Sequence, residues 1–133
     1  MKNLKALLPV TLLFFILAGI ISCNKPADSY KVGDAVAAKW SDGNYWTAKI
    51  TAMDGDKYTI MYDDGTNGSV TKADMKPLAQ KSDLKVGDHV WAVWSGNARM
   101  YEGTVTELQD AGAIIKWNDG STPSLAAYNK IAK

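Results

Sequence analysis

The sequence predicts an all-β protein: two small tandem β-barrels of about five strands each, behind an N-terminal signal peptide. Three features predict it. An apolar leader ends in the chain's single cysteine, one stretch recurs about 54 residues later, and short β-branched and aromatic runs alternate with Asp-Gly turns.

The leader opens with Lys2 and Lys5 and continues as an apolar run from Leu7 to Ile21, broken only by Pro9, Thr11 and Gly19. That length matches a signal-peptide core and is short for a membrane span, so residues 1–22 are assigned to a signal peptide. The run closes on Ile20-Ile21-Ser22-Cys23, which resembles the bacterial lipobox. The resemblance implies diacylation of Cys23, which then becomes the mature N-terminus, and it accounts for an unpaired cysteine in a chain bound for an oxidising compartment. Each buried CH₂ of an acyl chain contributes about 0.8 kcal/mol, so two or three chains hold such a protein on the membrane. Asn24 stands where an Asp would favour inner-membrane retention, which points to the outer membrane or periplasmic face of a bacterial envelope. Residues 23–30 carry no apolar period and read as a tether.

After the tether the chain repeats. Lys31-Val32-Gly33-Asp34 returns as Lys85-Val86-Gly87-Asp88, and Val36, Ala38 and Trp40 return as Val90, Ala92 and Trp94. One inserted residue then moves the match, so that Trp46 aligns with Tyr101, Ile50 with Val105, Tyr62 with Trp117, Asp64-Gly65 with Asp119-Gly120 and Ser69 with Ser124. Two copies of so short a unit indicate two domains, residues 31–78 and 85–133, joined by a linker at 79–84. In the first, strands are expected over 35–40, 45–53, 57–62 and 67–71; in the second, over 89–94, 100–108, 113–117 and 122–125. A short helical turn, 72–75 or 126–128, and a brief closing strand follow each set. Asp-Gly supplies the positive φ of tight turns, and a sheet of this size buries its apolar face by curling into a barrel.

Charge and residue type narrow the chemistry. Without Lys2 and Lys5 the basic count falls to 13 against 14 acids, so the mature chain lacks the basic excess that phosphate binding needs, and nucleic acid is not an expected partner. His89 is the single histidine and no acid, base and nucleophile are grouped, so the chain is not read as an enzyme. With neither Cys nor His clusters, no metal or other cofactor is expected; the acidic turns at Asp54-Gly55-Asp56 and Asp63-Asp64 lack the spacing of a calcium loop.

The pattern Val-Gly-Asp-x-Val-x-Ala-x-Trp, a turn, an aromatic residue, then Tyr-x-x-x-Tyr-Asp-Asp-Gly resembles the Tudor domain of the SH3-like barrel superfamily. The likeness covers residues 31–131 and is closer in the first copy, because Ala113 replaces the aromatic found at Tyr58. It implies an aromatic cage, in which ring faces attract a desolvated cation. The implied members are Trp40, Trp46, Tyr62 and Asp64 in the first copy, and Trp94, Tyr101, Trp117 and Asp119 in the second. Thr66 and Ser121 stand where the family often has a further aromatic, leaving one wall open. Three rings at about 0.5–2 kcal/mol each support a dissociation constant between millimolar and micromolar.

Other roles for these residues remain open. Trp40 and Trp94 share strand parity with Val36 and Val90 and could cap the core, Tyr45 could replace Trp46 if the turn shifts by one, and Asp64 and Asp119 are ordinary hairpin residues. The expected function is a membrane-anchored binding module for a protein or peptide ligand bearing methylated lysine, or for a quaternary ammonium group. The alternative is an assembly or adhesion module that uses the barrels as protein interfaces. The leader yields the first test: mass spectrometry of membrane-extracted protein is expected to find an acylated N-terminal Cys23, whereas an intact Met1 or a free Cys23 thiol would refute lipidation.

Overall fold

The computed structural model describes residues 30–96 and 98–133; the leader, Cys23 and the rest of the tether lie outside the described residues. The chain is all-β. The first half contains β1 (Ala35–Lys39), β2 (Tyr45–Asp54), β3 (Lys57–Tyr62), β4 (Asn67–Thr71), a 3-10 turn (Lys72–Asp74) and β5 (Met75–Pro77). The second contains β6 (His89–Val93), β7 (Met100–Leu108), β8 (Gly112–Trp117), β9 (Ser124–Ala127), a 3-10 turn (Tyr128–Lys130) and β10 (Ile131–Ala132). Between them the linker holds a 3-10 turn, Lys81–Asp83, closed by reciprocal bonds between Gln80 and Asp83.

Each half is one five-stranded antiparallel sheet, in the orders β4-β3-β2-β1-β5 and β9-β8-β7-β6-β10, and neither sheet closes. The Lys-Val-Gly-Asp segments start both sheets in the same way. Gly33 and Gly87 adopt φ of 94° and 96°, which a side chain would resist. The Asp34 and Asp88 carboxylates accept the backbone N–H of Lys31 and Lys85 at 3.0 and 2.8 Å. The glycine N–H groups donate to the carbonyls of Ile50 and Val105, fixing each turn to the second strand of its sheet. Beyond those residues β2 and β7 each carry a register shift, between Ile50 and Ala52 and between Val105 and Glu107, which lets one long strand bend between two partners.

Inward positions from all five strands make one core per half. Val36, Ala38, Ile50, Ile60 and Met75 belong to the first, and Val90, Ala92, Val105, Ile115 and Ile131 to the second. Two residues expected in connecting segments join them. Tyr30, assigned to the tether, is buried and meets Tyr58 edge-on at 6.0 Å; Leu84, assigned to the linker, occupies the equivalent place in the core that contains Ala113. The aromatic missing at Ala113 therefore goes with a smaller neighbour, Leu84 for Tyr30.

The register also corrects the repeat. Ile60 pairs with Gly68 and its counterpart Ile115 with Ser124, so Ser124 corresponds to Gly68 and not to Ser69. A second extra residue sits in the turn before β9, and Pro123, which has no N–H to give a ladder, precedes the strand. Hence β9 and its helical turn begin about two residues later than the pattern suggested. β8 and β9 approach closely at Gly112, where a Cβ would lie 2.1 Å from the Ala126 carbonyl oxygen.

A third core joins the halves. Ala37, Tyr45, Val93, Met100 and Ala132 are all buried in it, although Ala37 and Val93 point away from their own sheets' cores. Tyr45 meets Trp91 across the junction at 5.1 Å and 65°. Backbone bonds from Thr47 N–H to the Ala98 carbonyl (2.8 Å) and from Ala79 N–H to the Ile131 carbonyl (2.7 Å) hold its two sides. Because both halves bury surface in this core, they are expected to unfold together. Met100→Ala is expected to lower the stability of the whole chain by about 2–5 kcal/mol in one transition. Urea unfolding followed by tryptophan fluorescence and circular dichroism tests this, and two separable transitions in the parent chain would refute the coupling.

Candidate ligand-binding rim

The hairpin between β1 and β2 pairs Lys39 with Tyr45 and Ala38 with Trp46, which puts Trp40 and Trp46 at the same end of the sheet. Their rings lie 5.6 Å apart and tilted by 41°. Tyr62 reaches the same end because its hydroxyl donates to the Lys39 carbonyl at 2.6 Å, and its ring meets Trp40 edge-on at 4.6 Å. Gly68 on β4 allows this, since a Cβ there would lie 2.9 Å from the Tyr62 ring. The three rings expected in the first half are therefore brought together, with Trp40 and Trp46 half-buried and Tyr62 buried. Tyr45, the competing residue, turns into the junction instead.

Edge-to-face contact at 4.6 Å leaves no space for a ligand between Trp40 and Tyr62. The open volume lies outside them, a cleft of about 510 Å³ bordered by Lys39, Trp40, Ser41, Tyr62, Val70 and Asp74. Asp64 serves its turn: Oδ1 accepts the Thr66 N–H at 3.0 Å and the Thr66 hydroxyl at 2.6 Å. These bonds hold its carboxyl below its ordinary value. Asp119 does the same in the second half, accepting the Ser121 N–H at 2.8 Å.

Two carboxylates that the sequence pattern did not single out complete the electrostatics. Burial raises the Tyr62 phenol, and the charges of Asp42, Asp64 and Asp74 raise it further, so three anions act on one aromatic rim. Asp42 lies in the first Asp-Gly turn and Asp74 in the 3-10 turn that leads to β5. Only the pairing of β5 with β1 makes these turns neighbours, so no local sequence pattern reports it.

The second half departs from this arrangement. Trp94 and Tyr101 meet edge-on at 6.3 Å, with the Arg99 guanidinium 5.0 Å from the Tyr101 ring centre. Trp117 is a core residue, 3% exposed, whose indole N–H donates to the Ser124 hydroxyl at 3.0 Å. Trp94 is 48% exposed, so the core-capping role that strand parity allowed suits Trp40 and not Trp94. Lys130 ends the second 3-10 turn where Asp74 ends the first, and Gly96 stands in the place of Asp42. His89 is exposed, 3.5 Å from Glu102. No family model matches the chain, and no curated protein matches it.

Lys130 instead reaches across the junction. Its ammonium lies 3.1 Å from Asp63 Oδ2, which also accepts the hydroxyl proton of buried Thr47 at 2.5 Å. Partial burial would raise the Asp63 carboxyl, but the Thr47 and Lys130 bonds and the charges of Lys130 and Lys49 outweigh it and hold the group below its ordinary value of 3.8. A carboxyl that titrates lower in the folded chain stabilises it above pH 3.8, and that contribution is lost as pH falls through the lowered value. Asp63→Asn is expected to cost about 1 kcal/mol at neutral pH, since the pair is partly exposed. The variant and parent should converge in stability under acid; urea midpoints measured from neutral pH down to pH 2 check this, and a constant difference across that range would refute it.

Proposed function

We propose that this chain is a lipid-anchored envelope protein whose two sheets are small, open members of the SH3-like barrel class, of Tudor type. In this reading the first half binds an organic cation, a methylated lysine side chain or a quaternary ammonium group, and the protein is a binding module and not an enzyme. The observation that carries the reading is the gathering of Trp40, Trp46 and Tyr62 at one rim, with the Asp74 carboxylate on the border of the cleft beside Trp40. Ring faces and nearby carboxylates both favour a weakly hydrated cation over a neutral guest. Support for the barrel class comes from the strand order, in which β1 lies between β2 and β5, and from the 3-10 turn before the last strand of each sheet.

Contact between Trp40 and Tyr62 makes the site a shallow cleft against Trp40 and not a closed box, which agrees with weak binding. A second reading, an assembly or adhesion module, is favoured by the burial of Tyr62 and Trp117, since core rings serve packing first. One titration separates the two. Choline and a trimethyllysine peptide are expected to shift the Trp40 indole NMR signal with a dissociation constant of about 10 μM to 1 mM. Read on the Trp46 indole and the backbone amides of residues 67–70, Trp40→Ala should abolish binding and Asp74→Asn weaken it several-fold. Indole signals that stay fixed at millimolar ligand would refute cation binding and leave the assembly reading.

A further inference from the structure

The two halves carry clefts at equivalent places. One lies beside Trp40 and β4, the other beside Trp94 and β9. The second is built differently, because the first half forms its opposite wall: Trp46, Asp63 and Asp64 face Trp94, Leu125 and Lys130 across a groove of about 600 Å³. Its apolar lining is uncovered, with Trp94 48% and Leu125 45% exposed. Large apolar groups left bare in a concave surface mark a place that something else covers.

Charge and topology say what that is. Lys130 is matched by Asp63 at 3.1 Å, so the two cancel. Among the described residues no cation matches Asp64: both bonds from Thr66 fall on Oδ1, leaving Oδ2 for a ligand. The groove thus presents one net negative charge between two tryptophans, a setting for a single basic group. Along its side runs β9, an edge strand, whose Leu125, Ala126 and Ala127 line the groove. A free edge offers backbone donors and acceptors at strand spacing, which a small amine cannot use and an extended peptide can.

We propose that the groove between the halves binds an extended peptide segment with a basic side chain, its cationic head received by Trp46, Trp94 and Asp64 while its backbone adds to the edge of β9. The groove shares Trp46 and Asp64 with the first rim but differs from the Trp40 cleft in Trp94 and β9, which only the groove presents, so the two readings are tested apart.

The test uses the full chain in non-ionic detergent micelles, titrated with a five-residue peptide of alternating valine and lysine, the same peptide with glutamate replacing lysine, and choline. The lysine peptide is expected to shift the Trp94 indole signal and the backbone amides of residues 125–127. Trp94→Ala and Asp64→Asn, both changes at exposed side chains, should each weaken its binding at least tenfold. Equal binding of the glutamate peptide, or undiminished binding by both variants, overturns the proposal. So does a lysine-peptide shift confined to Trp40 with residues 125–127 unmoved. Choline acting on Trp40 while the lysine peptide leaves Trp94 unmoved refutes this inference alone; the peptide acting on Trp94 while choline leaves Trp40 unmoved refutes only the earlier reading.

Discussion

The shared core that buries the outer faces of β1, β2, β6 and β7 is the constraint on which the rest of the structure depends. A strand in a single curled sheet has one dry face and one wet face, yet Val36, Ala37 and Ala38 are all buried, as are Val90, Ala92 and Val93. The second dry face exists because each half covers the other. Units of about 50 residues bury a smaller share of their surface than larger domains do, and a shared core is a direct remedy for that shortage. The junction also follows the repeat. Tyr45 corresponds to Met100 and Trp91 to Ala37, so the contact of Tyr45 with Trp91 has its counterpart in Met100 and Ala37, within the same cluster. The halves therefore meet through the same patch, as subunits of a two-fold dimer do, with a bulky pair on one side and a slim pair on the other.

Much of the strand layout was legible because its signals are local. Asp-Gly turns, β-branched runs and the repeated Val-Gly-Asp placed the first four strands of the first half within a residue or so, and the two sheets stay separate as expected. The misreadings share a physical cause. Tyr30 and Leu84 lie in segments without periodicity, and their burial depends on where a neighbouring strand ends. The junction was hidden in plain sight: two consecutive apolar triplets, Val36-Ala37-Ala38 and Ala92 with its neighbours Trp91 and Val93, break the period of two, but a short apolar run does not say what covers its second face. The first cluster of rings was legible through the family likeness, whereas Asp42 and Asp74 come to it through the pairing of β5 with β1, a contact between residues nearly forty apart.

Each half carries a rim beside the tryptophan that follows its first strand, and the junction sets the two apart in chemistry. Thr47 sits on the face of β2 that meets the second half, so its backbone and hydroxyl are held by Ala98 and Asp63. Asp63 meets a cation from the second half, Lys130 at the end of its last 3-10 turn, the position that holds Asp74 in the first. A lysine there secures the junction and at the same time removes from the second rim the carboxylate that the first retains. Gly96 in place of Asp42 removes another. The first rim thus keeps Asp74 beside Trp40, while the second cleft takes its unmatched negative charge from Asp64 across the junction. The residue at the end of a three-residue turn, Asp74 or Lys130, thus bears both on how the halves adhere and on the charge of each rim.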